Sequence, residues 1–236
     1  MIYCIGERNG KFLGFLNEKD RLALLLSAIG HDLNHPGVTN GFMVNSRHPL
    51  AVRYNDASVL ENHHAATLIQ FLELEGCDFL SALNVEDRTY IRKQIIRTIL
   101  ATDMASHFNV MEGFKNVMQV FDNSSQSHRQ SFMGLLLHAA DVGNPTLKFD
   151  LATLWSLNVI KEFNDQVWKE EKMEIPVSEF LRVGNEISKI KQNQIGFIER
   201  IILPLWELMA EHVPNIQDFL EAITVNKNSW EVLESL

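Results

Sequence analysis

Apolar residues in this chain recur at the spacing of a helix face, and no window of strict alternation is long enough to build a strand. Asn17 with Asp20 can open a helix over residues 17–31. A loop rich in Asn, Pro and Gly follows over 34–45, and Asn55-Asp56 punctuates before a helix carrying Glu61-Asn-His-His. Asn84 and Asp87 read as the cap of a long helix. Its Ile91, Ile95, Ile99 and Leu100 share one stripe, and it continues toward Thr102-Asp103-Met104. Asp122-Asn-Ser-Ser is a loop and cap; the next helix runs from about His128 to Asp141 and stops before Gly143-Asn144-Pro145. A further helix over about 151–172 is ended by Pro176, and the last long helices cover about 186–209 with a kink at Pro204. There is no internal repeat, low-complexity tract or linker. The expectation is one all-α domain over residues 1–236, a multi-helix assembly rather than a simple four-helix bundle.

Charge narrows the partners. A net charge of -9 argues against a nucleic-acid-binding face. It leaves room for a phosphate-bearing substrate, because bound metal cations can supply positive charge locally. Cys4 and Cys77 form no CxxC pair, so neither a disulfide framework nor a thiolate metal site is indicated, and a reducing compartment is expected. The most apolar stretch, residues 22–30, is too short to span a bilayer, and the first ten residues have no apolar core of a signal peptide. These features predict a soluble cytoplasmic domain.

The chemistry centres on Gly30-His31-Asp32-Leu33-Asn34-His35-Pro36-Gly37. An adjacent His and Asp at a helix end offer an imidazole nitrogen and a carboxylate to one point; His suits zinc, and a carboxylate can bridge to a second, harder ion. His35 follows His31 by four residues and would share its face on a continuing helix. Alone, the pair reads equally as an ordinary polar helix end. Three other polar interruptions of apolar helices add to it: Glu61-Asn62-His63-His64, Thr102-Asp103 and His138-Ala-Ala-Asp141. A carboxylate after such an apolar run is expected to be buried, and a buried carboxylate needs a cation or hydrogen bonds. Each interruption by itself reads as a satisfied core polar group; together they point to a site.

The ordered strings HDLNHPG (31–37), LAVRYNDASVLENHH (50–64), LATDM (100–104), AADVGNP (139–145) and NQIGFIERIILPLWE (193–207) resemble the catalytic domain of class I cyclic nucleotide phosphodiesterases from about residue 17 onward. The resemblance implies an all-helical HD-type domain with two divalent metals, zinc and magnesium or manganese, at the floor of a pocket. It makes His31, Asp32 and Asp141 zinc ligands, with Asp32 bridging to the second metal. His35, Glu61 and Thr102 match groups that hold that metal's water shell. Gln194 matches the glutamine that reads the purine edge, and Phe197 the aromatic that stacks on the base. Asn144, Val159 and Phe163 fall at positions lining the nucleotide pocket. Without the motif, Phe197, Val159 and Phe163 read as core packing.

The chain also departs from the pattern. The family carries a Tyr-His-Asn-x-x-His segment upstream of the HD pair, whose histidines are the general acid and a zinc ligand, whereas no histidine precedes His31 here. The expectation is therefore a domain lacking its first helices, with no catalytic acid assigned, and turnover at least about a thousand-fold below that of a version carrying the segment. The implied reaction is hydrolysis of a 3′,5′-cyclic nucleotide to the 5′-monophosphate by a hydroxide activated by two metals. Asn144-Pro145 resembles cAMP-preferring members and Arg53-Tyr54-Asn55-Asp56 a cGMP-preferring branch; the reading taken is cAMP. Two alternatives stand beside it: a non-catalytic helical module that binds a nucleotide or partner, and another HD-type metal phosphohydrolase.

Overall fold

The computed structural model describes residue 2 and residues 13–235. Cys4 and, apart from residue 2, the rest of the segment read for a signal peptide lie outside the described residues. Every regular element among the described residues is helical. The α-helices are α1 (Glu18–Gly30), α2 (Asn40–Asn45), α3 (Pro49–Arg53), α4 (Val59–Leu72), α5 (Val85–Leu100), α6 (His107–Gln119), α7 (Gln126–Asp141), α8 (Phe149–Lys172), α9 (Ile187–Phe197), α10 (Leu203–His212) and α11 (Gln217–Val232). They fall into two compact units, Met1–Pro36 with Pro49–Ala140, and Gly37–His48 with Asp141–Leu236.

In the first unit α1 and α4 both pack on α5. The Ile91, Ile95 and Ile99 stripe is wholly buried, as its i, i+4, i+8 spacing requires. Residues 132–139 of α7 are buried on every face, and Phe114 and Phe132 fill the space beside them. The unit also buries a charge. Asp20 closes a capping box with Asn17 at the start of α1, and its Oδ2 accepts from Arg129 Nε at 2.6 Å. Its Oδ1 accepts from the Tyr90 hydroxyl at 2.6 Å and from Gln94 Nε2 at 3.3 Å. One carboxylate thereby ties α1, α5 and α7 together.

In the second unit α9 and α10 pack on α11, with Trp206 and Trp230 buried. Gln166 of α8 holds the Gly37–His48 excursion: its Oε1 accepts from Thr39 N at 2.8 Å and its Nε2 donates to Thr39 Oγ1 at 3.0 Å. The Glu170 carboxylate one turn later is fully buried and accepts from Gln166 Nε2, Ser178 N and Ser178 Oγ at 2.7–2.8 Å. Hydrogen bonds rather than an ion offset its desolvation.

Several expectations need correction. The 34–45 loop contains α2, capped by the Thr39 side chain. The helix after Asn84 stops at Leu100 instead of running to Met104. Thr102 turns its hydroxyl back onto the Ile99 carbonyl at 2.7 Å, and Asp103 accepts from Ala105 N as the chain begins a new 3-10 turn. Helices α6 and α11 are additional to those expected from the sequence. Before Pro204 the helix passes through a π-helical segment, Ile198–Ile202. A proline has no N–H and its ring crowds the carbonyl of the preceding turn, and the wider turn removes that conflict.

Candidate metal centre and nucleotide-binding residues

The HD pair sits where α1 gives way to turns. Helix α1 ends at Gly30, and Leu33 N and His35 N bond back to the Gly30 and Asp32 carbonyls at 3.2 Å each. Asn34 then takes a left-handed φ of 62°. His35 therefore does not share the His31 face by helical periodicity; consecutive turns deliver it instead. The close approach behind the pair depends on Gly30, where a Cβ would meet Leu68 Cδ2 of α4 at 2.6 Å. Helix α4 is thus seated directly against the end of α1.

That seating brings His64 to the site. His64 is 2% exposed, and its Nδ1 bonds to the Leu33 carbonyl at 2.7 Å, so Nδ1 carries the proton and donates. Its Nε2 lies 3.8 Å from Asp32 Oδ1, while His31 Nε2 lies 3.6 Å from Asp32 Oδ2. Ligand atoms of Asp32, His35 and His64 all fall within 4.8 Å of one another, and the His35 and His64 rings stack at 5.5 Å. Burial pushes the His64 imidazole below its ordinary pKa range, against the upward pull of the Leu33 hydrogen bond and Asp32. A neutral ring is the form that binds metal. Two nitrogen lone pairs on either side of one carboxylate make a donor set suited to zinc. His64 was not singled out as a ligand from the sequence; its signal was the His-His pair four residues into an otherwise apolar helix.

The remaining first-unit residues lie on α4 and just past the end of α5. Glu61, half-buried in the first turn of α4, shares the His64 face, although it is not among the side chains whose ligand atoms cluster. Ser58 holds the helix start in a left-handed φ of 41° and donates to Asp103 Oδ2 at 2.7 Å. Thr102 is buried at 7% exposure beyond α5.

In the second unit Asp141 is exposed, contrary to the burial expected of it. It is the last residue of α7, just past the buried 132–139 run. Gln194 on α9 is 5% exposed, and its Oε1 accepts from the Ser156 hydroxyl of α8 at 2.7 Å. Its Nε2 donates to Asn193 Oδ1 at 3.1 Å, and Asn144 Nδ2 reaches Ser156 Oγ at 3.4 Å. Ser156 thus links Asn144 to Gln194. It went unnoticed in the sequence, where its only signal is a hydroxyl inside the buried Ala152, Ser156, Ile160 stripe. Val159 is 40% exposed on α8, and Phe163 and Phe197 are half-buried, so none of the three is plain core.

Among the described residues no helix is long and apolar enough to cross a membrane. The chain is 32% identical over 216 residues to the "cGMP-specific 3′,5′-cGMP phosphodiesterase 3" of Dictyostelium discoideum, which covers 91% of this chain and 46% of that protein. It is 36% identical to the "High affinity cGMP-specific 3′,5′-cyclic phosphodiesterase 9A" of Drosophila melanogaster, covering 93% of this chain and 14% of that one. The chain therefore spans less than half the length of these curated relatives. The phosphodiesterase domain of a rhodopsin fusion protein from the choanoflagellate Salpingoeca rosetta superposes with a TM-score of 0.88 at 36% identity, over 92% of this chain and 69% of that one. The family model described as 3′5′-cyclic nucleotide phosphodiesterase matches residues 1–223. With the all-helical fold and the HD pair in place, a match over that span makes this chain a member of the 3′5′-cyclic nucleotide phosphodiesterase family.

Proposed function

We propose that this chain forms part of a two-metal hydrolase of 3′,5′-cyclic nucleotides acting on cGMP. The observation that carries the reading is the family match over residues 1–223 joined to the nitrogen and carboxylate set around Asp32. The family is metal-dependent, and the donors present fit a divalent ion. His31 and Asp32 would hold zinc, with Asp32 also facing a magnesium or manganese ion. Asp141 is proposed as a further zinc ligand on the strength of its AADVGNP motif, and His35, Glu61 and Thr102 as groups that orient the second ion's waters. When bound, such metals supply Lewis acidity toward water and toward the phosphoryl oxygens.

The chain's own residues then bind and orient. Gln194 addresses the purine edge with its amide while Phe197 offers a face to the base. Asn144, Val159 and Phe163 line the nucleotide. In the net reaction the P–O3′ bond breaks, a P–O bond to water forms, and O3′ takes up a proton. That proton is assigned to no residue before His31, because residues 1–30 contain no histidine.

For the base, the relatives supply the argument. Both curated proteins carry cGMP in their names, and Arg53-Tyr54-Asn55-Asp56 agrees with them. The cAMP reading drawn from Asn144-Pro145 has no matching support, so cGMP replaces it here.

The test is turnover of cGMP and cAMP by the intact gene product with zinc and magnesium or manganese present. The expected result is a higher kcat/KM for cGMP. Asp32→Asn should reduce it at least about a hundred-fold, since loss of a bridging ligand costs no less than the ten- to hundred-fold typical of its supporting groups. Gln194→Ala should weaken nucleotide binding by about 1–3 kcal/mol. Binding without turnover would instead support the non-catalytic module.

A further inference from the structure

Helix α5 buries one side and presents the other to water, and the outer side carries charge of one sign. Residues 88–102 hold four cations, Arg88, Arg92, Lys93 and Arg97, and no carboxylate, in a chain whose net charge is -9. All four residues are exposed. Arg92 pairs with Glu73 at 2.9 Å. Arg88, Lys93 and Arg97 make no side-chain ion pair or hydrogen bond among the described residues. The two carboxylates of the helix, Glu86 and Asp87, stand in its first turn, where they complement the positive end of the helix dipole. Asp87 is also engaged by Lys19. A helix face that is only solvated mixes charges of both signs along its length; past its first turn this one does not.

At about 100° per residue, Val85, Thr89, Arg92 and Ile96 share a strip roughly 60° wide. Val85 is 69% exposed and Ile96 is half-buried. Arg88 flanks the strip on one side, and Lys93 and Arg97 flank it on the other. An aliphatic strip between basic side chains suits a helix lying on an anionic bilayer. The alkyl stems of Lys and Arg rest at the apolar boundary while their heads reach the lipid phosphates. The outer side of a single helix is convex, so it fits a plane better than it fits a peptide that must be enclosed. Arg88 to Arg97 spans about 14 Å along the axis. A helix laid flat therefore brings these cations together to within a Debye length, about 8 Å at physiological salt, of the charged surface.

We propose that the outer face of α5 is a docking surface for an anionic lipid bilayer, with Arg88, Lys93 and Arg97 on the headgroups and Val85 at the apolar boundary. The contact is peripheral and electrostatic. It orients the first unit toward a surface that the chain's net charge alone would repel. The inference is independent of the proposed metal centre and nucleotide site, to which α5 contributes no residue.

The experiment is flotation of the 236-residue chain with vesicles of phosphatidylcholine alone and of phosphatidylcholine mixed with phosphatidylserine. The chain should float with the mixed vesicles at low salt, stay behind with the neutral ones, and be released as salt is raised. Each cation near the surface contributes about fivefold to the partition. Lys93→Gln combined with Arg97→Gln should therefore weaken it about twenty-fold. Lys93→Arg combined with Arg97→Lys keeps the charge and should keep the binding. Lys161→Gln combined with Lys189→Gln removes two exposed cations of the second unit and should leave the partition unchanged. Far-UV circular dichroism checks that each variant is folded, and the salt and lipid dependence of the unmutated chain stands without any variant. No association with the mixed vesicles at low salt would overturn the proposal. So would full binding by the Lys93→Gln, Arg97→Gln chain, or an equal loss in the second-unit pair, which would place the contact elsewhere.

Discussion

The Ser156 hydroxyl donates to Gln194 Oε1 at 2.7 Å, fixing the amide of the residue proposed to read the purine from a neighbouring helix. A glutamine offers an acceptor at one end and donors at the other, so whatever occupies Oε1 biases which end meets the base. Ser156→Ala removes that bias without removing Gln194. The kcat/KM ratio between cGMP and cAMP should move toward unity by about five- to tenfold, the equivalent of one neutral hydrogen bond of about 1 kcal/mol. Paired kinetics on the two nucleotides measure it, and an unchanged ratio would show that Ser156 only fills space.

Gly30 sets the distance between α1 and α4. A methyl group there would press on Leu68, whose Cδ2, Cδ1 and Cγ lie 2.6–3.0 Å from the Cβ position. Leu68 is itself buried at 5% exposure and has little room to turn away. Gly30→Ala should cost about 1–3 kcal/mol of stability, the usual price of overpacking. It should also weaken zinc binding, because the displaced helix carries His64. Urea denaturation and zinc titration of the same variant test both halves, and loss of stability with unaltered zinc affinity would separate the packing from the site.

Asp20 and Arg129 form a buried pair whose partners are 0% and 9% exposed. Asp20→Asn leaves the guanidinium without its counter-charge, and breaking such a pair from one side costs about 3–5 kcal/mol. The denaturation midpoint should fall sharply while the α-helical spectrum of the surviving folded protein is unchanged. A shift under about 1 kcal/mol would mean that Tyr90 and the Asn123 and Ser124 carbonyls, which also bond the Arg129 side chain, suffice to hold it.

His107 and His138 meet at 2.8 Å between Nδ1 and Nε2, both essentially inaccessible to water. Burial pushes the His107 imidazole below its ordinary range. The unfolded chain takes up this proton near pH 6.5, and the folded chain only at lower pH, so between those values the unfolded state binds more protons. Stability is then complete above about pH 6.5 and declines as the pH falls toward the depressed folded value. In metal-free protein His64, lowered in the same direction, adds to the decline. Urea midpoints between about pH 7.5 and 5 should show it, and His107→Gln should flatten the slope without abolishing it. A steeper slope in the variant would refute the assignment.

The sequence by itself determined the helical class, the Asn17 and Asn84 caps, the buried Ile91, Ile95, Ile99 stripe and the five strings that identify the family. These are local facts: periodicity, a side chain reaching a backbone N–H three residues away, and the order of motifs all act within a few turns of chain. Where helices end was less legible. The stop at Leu100 depends on a threonine hydroxyl choosing a carbonyl three residues back, and the π-helical segment before Pro204 on how a proline is accommodated. What only the tertiary structure decided is which polar groups meet. His64 faces Asp32 because Gly30 lets α4 approach α1, and Ser156 finds Gln194 across 38 residues. Asp141 lies exposed although it follows an apolar run, because exposure depends on which residue of the run ends the helix. No window of sequence carries such information, since each of these contacts is fixed by packing between helices distant along the chain.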